Sequence, residues 1–180
     1  GEVVLDADRL SHIVPRFPGV AKEVKKRLGD RVRAGEVLAI INSNQSLSSY
    51  DVTSLTDGVI IEKHITLGEF VTDNSDIYVV ADLSRVWVLV DLYEMDFGRV
   101  RTGDRAEFRV DAIPERSFEG RVEFIYPTVS SDTRTLKLRL SLSNPDGALR
   151  PGMFGRAIVH ADARPVLIVP AEAVVNAGEH

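Results

Sequence analysis

Apolar and polar residues alternate through most of the second half of the chain, from about residue 83 to residue 161. In residues 136–142 a leucine occupies every even position and a polar residue every odd one, and residues 106–111 alternate in the same way. Alternation at period two indicates antiparallel strands with one buried face. Further strands are predicted at 86–92, 118–126 and 154–160, with a sixth at either 3–5 or 10–14. We therefore expect a closed six-stranded antiparallel β-barrel with one short helix at about 93–100.

The first half of the chain contains an internal repeat. Residues 14–42 align with residues 53–81 without a gap, at a constant offset that places Gly19 on Gly58. Each copy reads as a short strand, a Gly-acid turn and a second strand. A unit of this length cannot bury its own apolar face, so the two copies predict the two halves of one small flattened β-barrel over residues 14–82.

Composition narrows the class of protein. The 180 residues include 22 basic and 27 acidic side chains, well mixed, with a net charge of −5, so no nucleic-acid partner is expected. The absence of cysteine excludes thiol catalysis and thiolate metal sites. No apolar run approaches the roughly 18 residues of a membrane span. The chain does not open with Met and stops soon after a predicted C-terminal strand, so we interpret it as a trimmed piece of a longer protein.

The sequence shows no motif for catalysis and no complete metal site. Neither a G-x-S-x-G elbow nor an H-E-x-x-H helix is present, so we assign no catalytic residue and expect no enzyme activity. A tight zinc site needs several converging ligands. His160 with Asp162, and His12 with His64, each offer only a partial set. We therefore predict that this part of the chain binds Zn²⁺ or Cu⁺ weakly or not at all.

Three long stretches resemble one known family in the same order. They are PRFPGVAKEVKKRLGDRVRAGEVLAII at 15–41, DGVIIEKHITLGEF at 57–70 and FEGRVEFIYPTVSSDTRTLKLRL at 118–140. They look like the two lipoyl half-motifs and the barrel of periplasmic adaptor proteins, also called membrane fusion proteins, of bacterial efflux systems. The resemblance covers nearly the whole chain, and the ordered succession is more specific than any single glycine motif.

The resemblance implies a mainly all-β fold of several domains. A lipoyl-like flattened β-barrel of two half-motifs would occupy residues 14–82, and a six-stranded β-barrel residues 83–163. A partial membrane-proximal β domain would begin at 164–180, and residues 1–13 would add strands to the barrel or to that domain. Hinges are expected where the chain crosses between domains, near 14–18, 81–85 and 161–165.

The connection between the half-motifs departs from the usual adaptor pattern. Adaptors commonly carry an α-helical hairpin there, and its arms need tens of residues because a helix rises only about 1.5 Å per residue. Residues 42–52, NSNQSLSSYDV, are too few and too polar for such a hairpin. The sequence of this connection resembles that of a hairpin-less subgroup of adaptors associated with resistance-nodulation-division pumps for heavy metals. We interpret the short connection as natural rather than as an engineered deletion, and expect it to be an exposed loop.

The resemblance also implies function and partners. Such an adaptor is periplasmic, performs no chemistry, needs no cofactor and is tethered to the inner membrane by a segment outside this chain. It forms a ring, a trimer or a hexamer, between an inner-membrane proton-driven efflux transporter and an outer-membrane channel. Heavy-metal cations such as zinc, cobalt or cadmium are the expected cargo. The alternatives are an adaptor for an ATP-driven exporter and a periplasmic metal-binding chaperone.

Candidate contacts with these partners lie in three places. Glu94 and Asp96 on the predicted short helix either meet a pump or only favour the start of that helix. Arg134 either pairs with a barrel carboxylate or faces a neighbouring subunit. The candidates in the connection are Asn44, Gln45, Ser46, Leu47 and Ser48. That connection contains no Lys, so it lacks the attachment point that a cofactor-carrying lipoyl or biotinyl domain requires.

Overall fold

The computed structural model describes residues 1–44 and 48–161, and its regular structure is almost entirely β. Two single-turn 3-10 helices, Ala7–Arg9 and Glu94–Asp96, are the helical elements of these residues. The strands in chain order are β1 (Glu2–Leu5), β2 (Leu10–Ile13), β3 (Gly19–Val24), β4 (Arg31–Val32), β5 (Val37–Ser43), β6 (Ser49–Thr53), β7 (Gly58–Lys63), β8 (Phe70–Val71), β9 (Tyr78–Ala81), β10 (Arg85–Tyr93), β11 (Arg105–Val110), β12 (Ser117–Val129), β13 (Thr135–Ser143) and β14 (Gly155–His160). The predicted all-β class is confirmed.

The repeat forms a sandwich of two four-stranded sheets, which we call the lipoyl-like unit. One sheet has the order β2-β9-β7-β4 and the other β6-β5-β3-β8. Each half therefore places its short strand in the other half's sheet: β4 pairs with β7, and β8 pairs with β3. Between the sheets lies one apolar core that includes Leu38, Ile41, Ile60 and Tyr78. The two halves therefore form one unit, because each sheet contains a strand of the other half and both cover the same core.

A four-residue turn motif, x-x-Gly-Asp/Glu, recurs around both units. In each case the glycine has φ between 81° and 97°, a conformation that costs other residues a steric penalty. The acidic side chain accepts a hydrogen bond from the backbone N–H three residues earlier, and its own N–H donates to that residue's carbonyl. The four turns are 27–30, 33–36, 66–69 and 101–104. In the turn at 66–69, Thr66 donates two hydrogen bonds to the Glu69 carboxylate, one from its hydroxyl and one from its backbone N–H. Both bonds lower the pKa of Glu69.

The five strands from β10 to β14, together with β1 from the start of the chain, form one six-stranded antiparallel sheet, the barrel unit, with the order β1-β10-β13-β12-β11-β14. The alternation predicted for residues 136–142 is confirmed, because the even leucines from Leu138 to Leu142 have at most 1% of their surface exposed. The edge strands meet at one end: the Gly1 amino group donates to the Gly155 carbonyl at 2.8 Å, and the Gly155 N–H donates to the Gly1 carbonyl at 3.0 Å. The sheet therefore curls toward itself around one core.

Three local predictions need correction. The helix expected at 93–100 is a single 3-10 turn, Glu94–Asp96, because Gly98 and the turn at 101–104 follow too closely for a longer helix. Residues 1–13 were expected to join one domain but are divided between the two units. β1 pairs with β10 in the barrel unit, whereas β2 pairs with β9 in the lipoyl-like unit. The crossing expected near 14–18 accordingly lies inside that unit, and the first passage between units is at the 3-10 helix Ala7–Arg9. The stretch 164–180 and the crossing near 161–165 fall wholly or mainly outside the described residues.

Candidate functional site

The connection between the two halves is shorter than the sequence predicted. β5 continues through Ser43 and β6 begins at Ser49, with Asn42 opposite Ser49 and Ile41 opposite Tyr50. The polar residues at both ends of 42–52 are thus strand residues. Asn42 and Ser43 end β5, and 49–52 lie in β6, the edge strand of its sheet, which tolerates polar side chains on its solvent face. Ser43 N–H donates to the Ser48 carbonyl at 3.0 Å and closes the hairpin. Asn44 and Ser48 are exposed, and Gln45, Ser46 and Leu47 lie outside the described residues.

We expect replacement of residues 44–48 by a Gly-Ser linker to change the free energy of unfolding by less than about 0.5 kcal/mol, since exposed loop residues bury little surface. Urea unfolding followed by circular dichroism would measure the change. The matched change is Tyr50→Ser in β6, which removes the aromatic contact with Phe17 at 6.0 Å and should cost more. A loop variant that is destabilised as strongly as Tyr50→Ser would show that the connection contributes to the fold.

Arg134 stands in the loop between β12 and β13. It has φ of 52°, the one left-handed value among the non-glycine residues described. Its N–H donates to the Ser130 carbonyl at 2.8 Å, and Ser130 N–H donates to the Thr135 carbonyl at 2.9 Å, which holds the loop in this conformation. Within residues 1–44 and 48–161 no carboxylate forms an ion pair with its guanidinium. Pairing with a barrel carboxylate, one of the two alternatives raised by the sequence, is therefore not seen.

The Arg134 loop lies beside the second 3-10 helix at one end of the barrel unit. Arg134 and Thr133 line a shallow cavity of about 520 Å³ together with Tyr93, Glu94 and Met95. Tyr93 is 67% exposed and Met95 82% exposed, so both present apolar surface to solvent beside Arg134. We call these five residues the barrel-end surface. The structure thus brings Glu94 and Arg134 together.

Asp96 lies apart from the barrel-end surface. It forms an ion pair with Arg99 at 3.3 Å and lines a different cavity. Sequence reasoning missed Tyr93 and Met95 as parts of a surface. The only signal in the sequence was their position at the end of an alternating strand, where the period-two pattern stops and apolar side chains no longer have an interior to enter.

The candidate metal ligands are separated into pairs. His12 Nδ1 lies 2.8 Å from Asp76 Oδ2, and His64 Nε2 lies 2.9 Å from Glu62 Oε2. In the part of the chain that the structure describes, no three His, Asp or Glu side chains are arranged to hold a metal ion.

His160, on β14, is the third of these histidines. Its Nε2 is 3.3 Å from Glu107 Oε1, and Asp162 lies outside the described residues. The proposed pairing of His160 with Asp162 therefore stays a prediction.

Charged and polar side chains hold together the two segments where the chain crosses between the units, one at Ala7–Arg9 and one near Asp82. Arg9 forms an ion pair with Asp82 and a longer one with Asp6 at 3.6 Å, so it joins both passages. Asn144 adds a second tie, because its side-chain amide donates to the Leu83 carbonyl at 2.9 Å and its N–H donates to the Ser84 carbonyl at 2.7 Å. These contacts set how the lipoyl-like unit meets the base of the barrel unit.

The Asp82 carboxylate should make this connection sensitive to acid. Burial raises the pKa of Asp82, but hydrogen bonds from Ser84 and the Arg9 guanidinium outweigh it and hold that pKa below its usual value. A lowered pKa in the folded state stabilises the protein above the unfolded carboxyl's pKa, and this stabilisation is lost as pH falls through the folded value.

We therefore expect Asp82→Asn to cost about 1 kcal/mol or less at neutral pH, since the side chain is partly exposed to solvent. The difference from the unsubstituted protein should shrink as pH falls below about 4. Urea unfolding at a series of pH values would measure it. A difference that is constant between neutral and acid pH would exclude the carboxylate as its source.

Each of the two units matches a known domain family. The model of the CzcB-like barrel-sandwich hybrid domain matches residues 9–82, and that of the CusB-like β-barrel domain matches residues 85–163. The chain is therefore a membrane fusion protein, a class of periplasmic adaptor built from these two domains in this order. Its two domains are those of the CusB/CzcB-like membrane fusion proteins, and the chain belongs to that family.

Individual relatives agree with this assignment. The chain is 28% identical to the cobalt-zinc-cadmium resistance protein CzcB of Cupriavidus metallidurans, covering 97% of this chain and 47% of CzcB. It is 25% identical to the cation efflux system protein CusB of Escherichia coli K12, over 79% of this chain and 35% of CusB. The crystal structure of ZneB from Cupriavidus metallidurans has the same fold, with a TM-score of 0.69, 24% identity and coverage of 87% of this chain and 94% of ZneB. The chain spans about half the length of CzcB and about a third of the length of CusB.

Neither helix in the described stretches is long and apolar enough to cross a membrane.

Proposed function

We propose that this chain is the lipoyl-like and barrel part of a periplasmic adaptor subunit in a tripartite cation efflux system. The observation that carries the proposal is the coincidence of the two structural units with two domain models in the order found in cation efflux relatives. The adaptor joins an inner-membrane transporter driven by protons to an outer-membrane channel. Divalent heavy-metal cations are the cargo class, in keeping with the name of the cobalt-zinc-cadmium relative.

The proposed role requires surfaces and hinges rather than catalysis. The adaptor is held at the inner membrane by a segment of the full-length protein and self-associates as a trimer or hexamer around the transporter. We assign the end of the β5–β6 hairpin to the channel side of the adaptor. The two segments where the chain crosses between the units, near Arg9 and near Asp82, are the proposed hinges, and the ion pairs of Arg9 limit their range.

The barrel-end surface is the proposed contact with the transporter. Arg134 offers a guanidinium without an ion pair in the described residues, and exposed Tyr93 and Met95 flank it. Arginine and aromatic side chains are the residues most enriched at the energetic centres of protein interfaces. A partner surface with a carboxylate beside an apolar side chain would complement this set. The strained backbone at Arg134 supports the same view, since strain persists at positions used for recognition.

Growth in metal tests this role. In a host that lacks its own copy of the gene, the full-length protein with Arg134→Glu should lose resistance to Zn²⁺, Co²⁺ and Cd²⁺, to the level of the strain without the gene. Arg156→Glu is the matched control, because Arg156 is an exposed outward residue of β14 without an ion pair in the described region. Both variant proteins should accumulate in the periplasm in the same amount as the unsubstituted protein. Full resistance with Arg134→Glu would exclude this surface, and no metal resistance from the unsubstituted protein would exclude the proposed function.

A further inference from the structure

A groove of about 1150 Å³ lies between the lipoyl-like unit and the base of the barrel unit. One wall is formed by residues within 29–36 and 57–59 of the lipoyl-like unit. The other wall is formed by residues 82–84 and by the loop between β13 and β14. We call this cavity the inter-unit groove. The charged side chains that line it are Arg31, Arg33, Glu36, Asp57, Asp82, Asp146 and Arg150.

The carboxylates of the inter-unit groove have partners within the chain. Asp57 accepts a hydrogen bond from the Ala34 N–H at 2.7 Å. The other three carboxylates form ion pairs, Glu36 with Lys26, Asp82 with Arg9 and Asp146 with Arg116. Most of the negative charge that lines the groove is therefore neutralised by this chain itself.

The three arginines of the groove differ from its carboxylates in this respect. Arg31 and Arg33 flank the buried Val32, so their side chains point away from the core. Arg150 belongs to the barrel unit. All three arginines are exposed, and none forms an ion pair within residues 1–44 and 48–161. Guanidinium groups bind carboxylates strongly through paired hydrogen bonds, so the groove favours an acidic partner.

A set of exposed carboxylates lies at the turn between β11 and β12. Asp111, Glu115 and Glu119 are exposed, and in the part of the chain that the structure describes they form no ion pair. The backbone of the turn is held in place, because the Ile113 N–H donates to the Val110 carbonyl at 3.0 Å. We call the three acidic residues the acidic corner.

The acidic corner and the inter-unit groove lie at the same end of the barrel unit. Arg116, in the turn of the acidic corner, forms its ion pair with Asp146 of the groove. Copies of a chain that are tethered to one membrane share one orientation, so surfaces at the same height can meet. A contact between two different surfaces is heterologous, and contacts of this kind can close a ring.

We propose that the acidic corner of one copy of this chain docks in the inter-unit groove of a neighbouring copy. The two surfaces are opposite in charge, and each has three side chains that are not paired within their own chain. Docking would join Arg31 and Arg33 of one unit to Arg150 of the other, so it would also restrict motion between the units. The place of this contact in a ring rests on the proposed function, whereas the self-association is a property of this chain.

Sedimentation velocity of the full 180-residue chain tests the contact. We expect self-association at low salt that weakens at high salt, because salt screens exposed charges. The groove variant carries Arg31→Glu, Arg33→Glu and Arg150→Glu, and the corner variant carries Asp111→Arg, Glu115→Arg and Glu119→Arg. Each should weaken self-association by about tenfold or more, because its two surfaces then have the same sign.

An equal mixture of the groove variant and the corner variant should associate again. In the mixture, each surface of one variant meets a surface of opposite charge on the other variant. Circular dichroism should show both variants folded, since the substituted side chains are exposed.

The matched control carries Arg105→Glu, Arg121→Glu and Arg156→Glu. These arginines of the barrel unit are also exposed and form no ion pair in the described residues, and the change in net charge equals that of the groove variant. The control should leave self-association unchanged.

Three results would each overturn the proposal: an unsubstituted chain that stays monomeric at low salt, equal weakening by the control, or a mixture of the two variants that does not associate. Growth in metal separates the contact from the proposed function. Resistance from a full-length protein whose chain fails these tests would reject the contact and retain the adaptor role.

Discussion

Leu138→Asp is expected to unfold the barrel unit. Leu138 lies at the centre of β13, has 0% of its surface exposed and belongs to the core enclosed by the barrel sheet. The substitution removes a buried aliphatic side chain and places a carboxyl group in its position without a partner. Together these changes should cost about 5 kcal/mol or more, which is the whole stability of many domains at about 5–15 kcal/mol. Urea unfolding followed by circular dichroism and Trp87 fluorescence would measure the loss.

The neighbouring Lys137→Asp is the matched control. Lys137 is half exposed and forms an ion pair with Asp91 across the strands at 3.1 Å. Its replacement loses one surface ion pair and places two carboxylates near each other in water, which should cost about 1 kcal/mol or less. The contrast between adjacent residues tests which face of β13 is inside. Similar losses at both positions would show that the alternation does not define the buried face.

Gly58→Ala should strongly destabilise the lipoyl-like unit. An added Cβ at Gly58 would lie 2.5 Å from the carbonyl oxygen of Ala81 in β9, a backbone atom that cannot rotate away. The equivalent Gly19 of the first half would press a Cβ against the carbonyl oxygen of Asn42 in β5 in the same manner. The strand must shift to relieve the clash, at a cost of about 3 kcal/mol. Hydrogen exchange should rise in β7 and β9, and the urea midpoint should fall.

Gly98→Ala provides the control for this substitution. An added Cβ at Gly98 would meet nothing within 4 Å, and its φ lies outside the positive range that disfavours alanine. Its stability should change by less than about 0.5 kcal/mol. If Gly58→Ala were as mild as Gly98→Ala, the close approach of β7 and β9 would not be the reason for glycine at this repeated position.

The strands of the barrel unit were predictable because local pattern and burial agree there. Period two in residues 136–142 is a property of adjacent residues, and the sheet buries the leucine face, so the structure adds the neighbours without changing the faces. The turns were equally predictable. A glycine followed by an acidic residue specifies both the backbone conformation and its side-chain hydrogen bond, and both groups lie within four residues.

The interaction surfaces were only partly predictable. Arg134 and Glu94 were named from the sequence, yet nothing in it placed them beside each other or showed that Tyr93 and Met95 lie exposed with them. The connection at 42–52 was expected as a loop, because polar residues read alike in loops and in edge strands. Pairing with β5 decides between the two, and pairing partners are distant in space rather than in sequence.

The sequence by itself determined the β class, the inward face of each long strand, the repeat and its turns, because these depend on interactions among residues a few positions apart. Only the tertiary structure decided the exchange of β4 and β8 between the two halves, the split of β1 and β2 between the units, and the contact of His12 with Asp76. These arrangements depend on which strands pair across long separations. Burial of a shared core selects that pairing, and a one-dimensional pattern of polarity is compatible with several alternatives.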